Sequence, residues 1–292
     1  MKQLLILSGK GGTGKTTIAG AFIYLSQVNA CADCDVDAPN LHLISHWSHL
    51  PKRTDYFGMP KACIDPKKCT LCGQCQTHCR FDAIEAGTPS FRVRPFACEG
   101  CGVCVTGCHA GAVSMKPDRA GELALYREEN RIFSTAKLSM GSGTSGKLVT
   151  EVKKQMVSAS GDVKFAIIDG SPGIGCPVIA SISGVTMVLI VTEPSLSGIS
   201  DMERILKTAD TFHVRTAVCV NKADTNPTKT REIHEFCLTR QIPFVGEIPF
   251  DPKAVQAINS GKSIAEWDCP SGREVRQAYG ATIALLFEER SI

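Results

Sequence analysis

"GKGGTGKT", Gly9 to Thr16, stands between the apolar run at residues 4–7 and a helix-length segment at 17–25, and that placement decides the fold. The spacing G-x4-G-K-[ST] at a strand-to-helix junction gives a loop whose glycines let successive backbone N–H groups curl around phosphate oxygens. The helix N-terminus adds positive potential at the same point. Lys15 is then aimed at the β and γ phosphates and Thr16 at a Mg2+ ion, with Gly11, Gly12, Thr13, Gly14 and Thr17 completing the nucleotide-contacting set.

Outward from this loop, short apolar runs recur near residues 164–168, 186–191, 216–220 and 244–248. Amphipathic stretches such as "ISDMERILKTADTF" and "TREIHEFCLTR" separate them. This alternation predicts an α/β fold with a mostly parallel sheet covered by helices on both faces. The segment "ELALYREENRIFSTAKL" reads as a hairpin. A formal charge of only +3 over 292 residues announces no nucleic-acid partner. "MKQLLILS" reads as a first strand rather than a leader, and the apolar run "VTMVLIV" is far shorter than a membrane span. The expectation is therefore a cytoplasmic protein with no membrane partner.

Fifteen cysteines in such a chain call for metal ligation rather than disulfides. "CTLCGQCQTHC", Cys69 to Cys79, has the spacing C-x2-C-x2-C-x3-C, and "CEGCGVCVTGC", Cys98 to Cys108, repeats it 29 residues later. The pairs Ala83-Ile84 and Ala112-Val113 keep the same offset, which marks a duplicated unit. Three closely spaced thiolates wrap one face of an iron–sulfur cube, while the fourth points away to close the other cube. Crossed ligation follows: Cys69, Cys72, Cys75 and Cys108 for one [4Fe–4S] cluster, and Cys98, Cys101, Cys104 and Cys79 for the second. Zinc is the competing metal for C-x2-C pairs, but eight ligands at twice-repeated spacing favour the cubes. These stretches resemble bacterial two-cluster ferredoxins. The proline usual after the fourth cysteine is replaced here by Arg80 and His109.

Lys10 adds a second resemblance. In the pattern K-G-G-x-G-K-T it resembles the deviant Walker A loop of the MinD/ParA and nitrogenase iron-protein superfamily, and the likeness continues at "DCDVDAPN" and "FAIIDGSPGIG". The resemblance implies ATP with Mg2+ and a homodimer in the ATP state, in which Lys10 reaches the partner's nucleotide. It further implies Asp35 as the switch I aspartate that orients the attacking water, although Asp33 and Asp37 flank it and offer the same chemistry. Asp169 becomes the Walker B carboxylate that joins Thr16 and Asp35 at Mg2+. Gly173 takes the place of the switch II glycine that senses the γ-phosphate. "AVCVNKAD" and "GEIPFD" supply Asn221, Pro249 and Asp251, which resemble the adenine-side loops.

The expected organisation is an ATPase domain over 1–56 and 118–292, interrupted at 57–117 by an inserted α+β ferredoxin-like domain. Only 34 residues separate Asp35 from Cys69, a short covalent path between the two chemistries. The leading functional reading is an ATP-gated electron carrier serving an unidentified redox or iron–sulfur partner protein. One alternative is a cluster carrier or scaffold resembling the Mrp group, against which Cys219, Cys237 and Cys269 form no C-terminal C-x2-C. The other is a spatial organiser like MinD or ParA, against which the C-terminal "AYGATIALLFEERSI" reads as a packed helix.

Several residues invite overreading. Cys31 and Cys34 imitate a redox pair, but residues three apart on a strand point to opposite faces, so both read as buried hydrophobes, as does Cys219. Cys63 reads as a spare thiol near the clusters. Cys176, seven residues after Asp169, matches the offset of a dimer-bridging cluster ligand but has no second ligand in view, so it reads as a buried thiol packed behind switch II. His42, His46 and His49, at i, i+4 and i+7, read as one solvated helical face rather than a metal site.

Overall fold

A computed structural model describes residues 1–44 and 47–288. The chain opens with β1 (Lys2–Leu7), α1 (Lys15–Ser26) and β2 (Ala30–Asp33), and β3 (Lys52–Phe57) leads out to the cysteine-rich segment. That segment contains β4 (Lys61–Ile64), α2 (Gln74–Thr77), β5 (Ile84–Glu85), β6 (Arg92–Val93), α3 (Val103–Thr106) and β7 (Val113–Lys116). The chain returns through β8 (Arg119–Glu128), β9 (Arg131–Leu138) and α4 (Ser145–Ala159). Alternating units follow: β10 (Phe165–Asp169), α5 (Cys176–Ile182), β11 (Met187–Thr192), α6 (Leu196–Thr211), β12 (Arg215–Asn221) and α7 (Pro227–Thr239). The last elements are β13 (Phe244–Ile248), α8 (Pro252–Asn259) and α9 (Pro270–Phe287).

Nine strands form one sheet in the order β13-β12-β11-β1-β10-β2-β9-β8-β3. The first seven of these run parallel, and β8 and β3 extend the sheet antiparallel. β1 is central and buried on both faces, which explains why "LLIL" is uninterrupted rather than alternating. Leu5 and Leu7 pack on one face with Leu148, Val178 and Met202 from α4, α5 and α6. Leu4 and Ile6 pack on the other with Ile18, Phe22 and Val275 from α1 and α9. At about 1.5–3 kcal/mol for each large apolar side chain taken out of water, these two layers are what hold the loops at the strand ends in place.

The β8–β9 hairpin is present, but β3 was not foreseen as its edge partner. "KRTDYF" exposes five of its six residues, so it carries no core pattern, and its charges suit an unpaired sheet edge. Among the described residues no histidine-faced helix is seen: residues 41–44 make one 3-10 turn, His49 follows in a loop, and His46 lies outside the described residues. α9 packs Val275, Ala278 and Leu286 into the core, and residues 289–292 of the C-terminal stretch lie outside the description. Among the described residues no helix is long and apolar enough to cross a membrane.

Candidate functional site: a phosphate loop and a duplicated cysteine module

The carboxyl ends of β1, β10, β2, β11 and β12 converge on the glycine loop, the position at which an open α/β sheet presents a ligand crevice. Gly14 at φ 86° caps α1, and a Cβ there would stand 2.2 Å from Asn221 Nδ2. Only glycine allows both the left-handed backbone and that approach. Asn221 donates to the Thr13 carbonyl at 2.6 Å, so the end of β12 braces the loop.

Lys15 and Asp169 are both buried, and Lys15 Nζ lies 2.5 Å from Asp169 Oδ1. Thr16 donates its hydroxyl to the other carboxylate oxygen at 2.6 Å. The three groups assigned to phosphate and Mg2+ are thus already assembled and satisfy one another. Beside them runs a cavity of about 250 Å³ whose walls include Gly12, Gly14, Thr17, Asn221, Pro249 and Asp251. Its far side is apolar, with Ile248, Phe250, Val255 and Val275, as suits the face of a base. Asp251 caps α8 by accepting from Lys253 N–H and also accepts from the Ser271 hydroxyl, so its first task is to shape this wall.

The three aspartates at the end of β2 and just beyond it differ in burial: Asp33 is buried, Asp35 partly buried and Asp37 exposed. Asp33 is fully buried and accepts the N–H groups of Asp35, Asn40 and Leu41 at 2.9–3.0 Å, which clamps the following loop. Burial, reinforced by the Asp169 charge, pushes its pKa up. Asp35 is only partly buried. Burial raises its pKa while the Lys15 ammonium opposes the rise. Gly173, at φ 100°, donates its N–H to the Ser8 carbonyl at 2.9 Å, and Ser171 ties this segment to the Cys34 carbonyl at 2.5 Å.

Sequence reasoning missed one part of the site. Glu193, just past β11, accepts from Lys10 at 3.1 Å and from Lys222 at 2.5 Å, and Lys222 also donates to the Gly12 carbonyl at 2.9 Å. Burial raises the Glu193 pKa, but the two lysines outweigh it and hold the carboxyl below its ordinary value. The only sequence signal for this knot was position: Glu193 and Lys222 both follow the carboxyl ends of parallel strands.

The cysteine module is a duplicated unit with its halves interlocked. Left-handed residues Leu71, Gly73 and Asp82 recur 29 positions on as Gly100, Gly102 and Gly111. β4 pairs with β7 and β5 with β6, so each ladder joins one half to the other. The bonds Asp65 N–H to Ala112 O and Arg94 N–H to Ala83 O are both 2.8 Å and exchange places under the repeat. Ala83 and Ala112 each donate an N–H to the sulfur of the fourth cysteine of their own half, Cys79 and Cys108, at 3.4 and 3.3 Å.

The thiols mix across the halves as well. Burial raises the Cys75 pKa, and Cys69 and, from the other half, Cys108 raise it further. Burial likewise raises Cys104, with Cys98, Cys101 and, again from the other half, Cys79 adding to it. A narrow cavity is lined by Cys79, Cys98, Cys101 and Cys104 together with His78 and Met115. Cys72 and Cys101 are exposed, as are Arg80 and His109. Among the described residues no three His, Cys, Asp or Glu side chains stand together as a site for a metal ion.

Of the remaining cysteines, Cys31 and Cys34 do face opposite layers of the core, and burial pushes both thiols up to about 12. Cys219 is buried with the same result and Cys63 is half-buried, but Cys176 is not the buried thiol expected: as the first residue of α5 it is exposed.

The CobQ/CobB/MinD/ParA nucleotide binding domain family matches residues 4–264. An uncharacterized protein of Methanocaldococcus jannaschii, MJ0578, is 30% identical over 258 residues, covering 85% of this chain and 86% of its own. The cell division ATPase MinD of Pyrococcus furiosus superposes with a TM-score of 0.58 at 16% identity, over 97% of this chain and 99% of that one. The Cyanothece McdA–ATP complex superposes with a TM-score of 0.58 at 18% identity, over 100% of this chain and 99% of the other. At such identities the two superpositions speak for the fold alone.

Proposed function

Because the chain belongs to the CobQ/CobB/MinD/ParA nucleotide binding family, we propose that it is a Mg2+-dependent ATPase whose nucleotide state governs a homodimer and, through it, the inserted cysteine module. The observation that carries this reading is the Lys15–Thr16–Asp169 assembly beside an apolar-walled cavity. With nucleotide bound, Lys15 would exchange the Asp169 carboxylate for phosphate oxygens, and Asp169 and Thr16 would hold Mg2+. The ion would supply charge neutralisation to the phosphates. Asp35 orients the attacking water, and Lys10, released from Glu193, reaches the partner's nucleotide. Catalysis here is positioning and electrostatics rather than covalent chemistry.

In this reading the module would hold two four-iron clusters, one on Cys69, Cys72, Cys75 and Cys108 and the other on Cys98, Cys101, Cys104 and Cys79. In support, Cys75 feels the charge of Cys69 and Cys108, Cys104 feels that of Cys98, Cys101 and Cys79, and N–H donors face the sulfurs of Cys79 and Cys108. A cube takes its thiolates at four separate irons, so it does not require side chains to gather on one ion. The clusters would supply one-electron transfer, and with it the role of an ATP-gated electron carrier for a redox or iron–sulfur partner.

On likeness alone, the spatial-organiser alternative stands closer than the electron carrier, since the solved structures named above are MinD and McdA proteins. The cysteine module is what favours the redox reading. Iron and sulfide analysis of anaerobically purified protein, followed by EPR of the reduced protein with and without Mg-ATP, tests it. A nucleotide-dependent change in the cluster signal is expected. ATPase activity in a chain that never acquires iron would return the organiser to first place.

A further inference from the structure

Gly173 offers its N–H to the Ser8 carbonyl at 2.9 Å, and a γ-phosphate that takes this N–H must draw it off Ser8. The N–H therefore has two alternative acceptors, which gives the segment two discrete arrangements. Three residues later α5 begins at Cys176, and there is no slack beside it: a Cβ on Gly146 of α4 would stand 3.0 Å from the Cys176 carbonyl oxygen and 3.2 Å from its Cβ. At the other end of α5, Lys153 of α4 donates to the carbonyls of Ser181 and Ser183 at 2.7 and 2.5 Å. α4 is thus tied to both ends of α5, which couples a displacement of one helix to the other.

The loop 139–144 feeds directly into α4, and its contacts run to the cysteine module. A Cβ on Gly141, itself at φ 80°, would lie 2.6 Å from the Phe96 ring, and one on Gly143 would lie 3.6 Å from the Glu99 carboxylate. Phe96 and Glu99 flank Cys98 and belong to the second repeat. At the start of the loop, Leu138 donates its N–H to the Val36 carbonyl at 2.9 Å, next to Asp35.

From these contacts we infer that α5, α4 and the loop 139–144 form a mechanical relay from the γ-phosphate position to the second cysteine repeat, so that the Cys98 side of the module responds to nucleotide and the Cys69 side does not. The relay rests on the nucleotide reading above and adds a route distinct from the covalent path between Asp35 and Cys69. It rests on a Gly173 hydrogen bond that the nucleotide reading would redirect at one end, on the close α4–α5 packing at Gly146 and Lys153, and on the approach of the exposed Phe96 ring to Gly141 at the other.

Hydrogen–deuterium exchange with and without Mg2+ and a non-hydrolysable ATP analogue tests the relay independently of any electron transfer. The expected result is protection at residues 9–17, altered exchange at 139–146 and 94–104, and unchanged exchange at 65–75. Phe96→Ala should bind the analogue within about twofold of wild type and keep the response at 139–146, yet lose at least about half of it at 94–104. An unchanged 94–104 segment despite a protected phosphate loop overturns the relay, as does an equal response at 65–75 or a full response in Phe96→Ala. An unprotected phosphate loop would overturn the nucleotide reading and the relay with it.

Discussion

Lys15 and Asp169 form a buried ion pair with Nζ 2.5 Å from Oδ1, joining the start of α1 to the end of the adjacent parallel strand β10. Removing one member leaves the other charged, buried and unpaired, which typically costs about 3–5 kcal/mol. Lys15→Ala is therefore expected to lower the melting temperature and to weaken ATP binding by about a hundredfold or more. Calorimetry with a non-hydrolysable analogue measures the affinity directly, and near wild-type binding would remove the phosphate role of Lys15.

Lys10 makes a different contact and should fail differently. It is held 3.1 Å from Glu193, outside the Lys15–Asp169 pair. Lys10→Ala is expected to bind ATP within a few-fold of wild type and to lose ATP-dependent dimerisation and hydrolysis. Size-exclusion chromatography with phosphate-release assays checks both, and unimpaired hydrolysis would cancel the deviant-loop assignment.

Lys153 sets a pH dependence. Burial lowers its pKa from the ordinary 10.5, so between the lowered value and 10.5 the unfolded chain binds more protons than the folded one. Stability should then rise with pH across that window. In Lys153→Met this contribution to the slope disappears, and the lost bonds to α5 cost about 1–3 kcal/mol near neutral pH. Denaturant melts from pH 7 to 10 provide the comparison, and an unaltered slope in the variant would contradict the account.

Crossed ligation has a counting test. Anaerobically prepared protein should carry about eight irons per chain. Cys79→Ser combined with Cys101→Ser strikes one cluster and should leave about four, whereas Cys79→Ser combined with Cys72→Ser strikes both and should leave few. The reverse pattern would mean that each repeat holds its own cluster, and stoichiometric zinc without labile sulfide would dispose of the cubes altogether.

The phosphate loop, the parallel strands and the duplicated cysteine unit were legible in the sequence because each rests on local spacing. A glycine at φ 86° before a helix, or a run of apolar residues buried on two faces, is dictated within a dozen residues of chain. The same held for Cys31 and Cys34, whose opposite orientations follow from strand geometry alone. Periodicity gave no warning of β3, because an exposed edge strand has no apolar pattern to read.

Tertiary structure alone decided which distant groups meet. Glu193 joins Lys10 to Lys222 only because the strand order sets β11 between β1 and β12, a matter of sheet topology that no local pattern encodes. Three adjacent-looking aspartates became a buried clamp at Asp33, a partly buried group that feels the Lys15 charge at Asp35 and an exposed side chain at Asp37, through the turn the chain takes after β2. The contact of Gly141 with Phe96, 45 residues away in sequence, likewise required the loop before α4 to fold over the second cysteine repeat. Residue types and spacings fix which chemistry each segment carries, whereas packing between elements fixes which segments act on one another, because those contacts depend on chain crossings far outside the range of local steric and hydrogen-bond preferences.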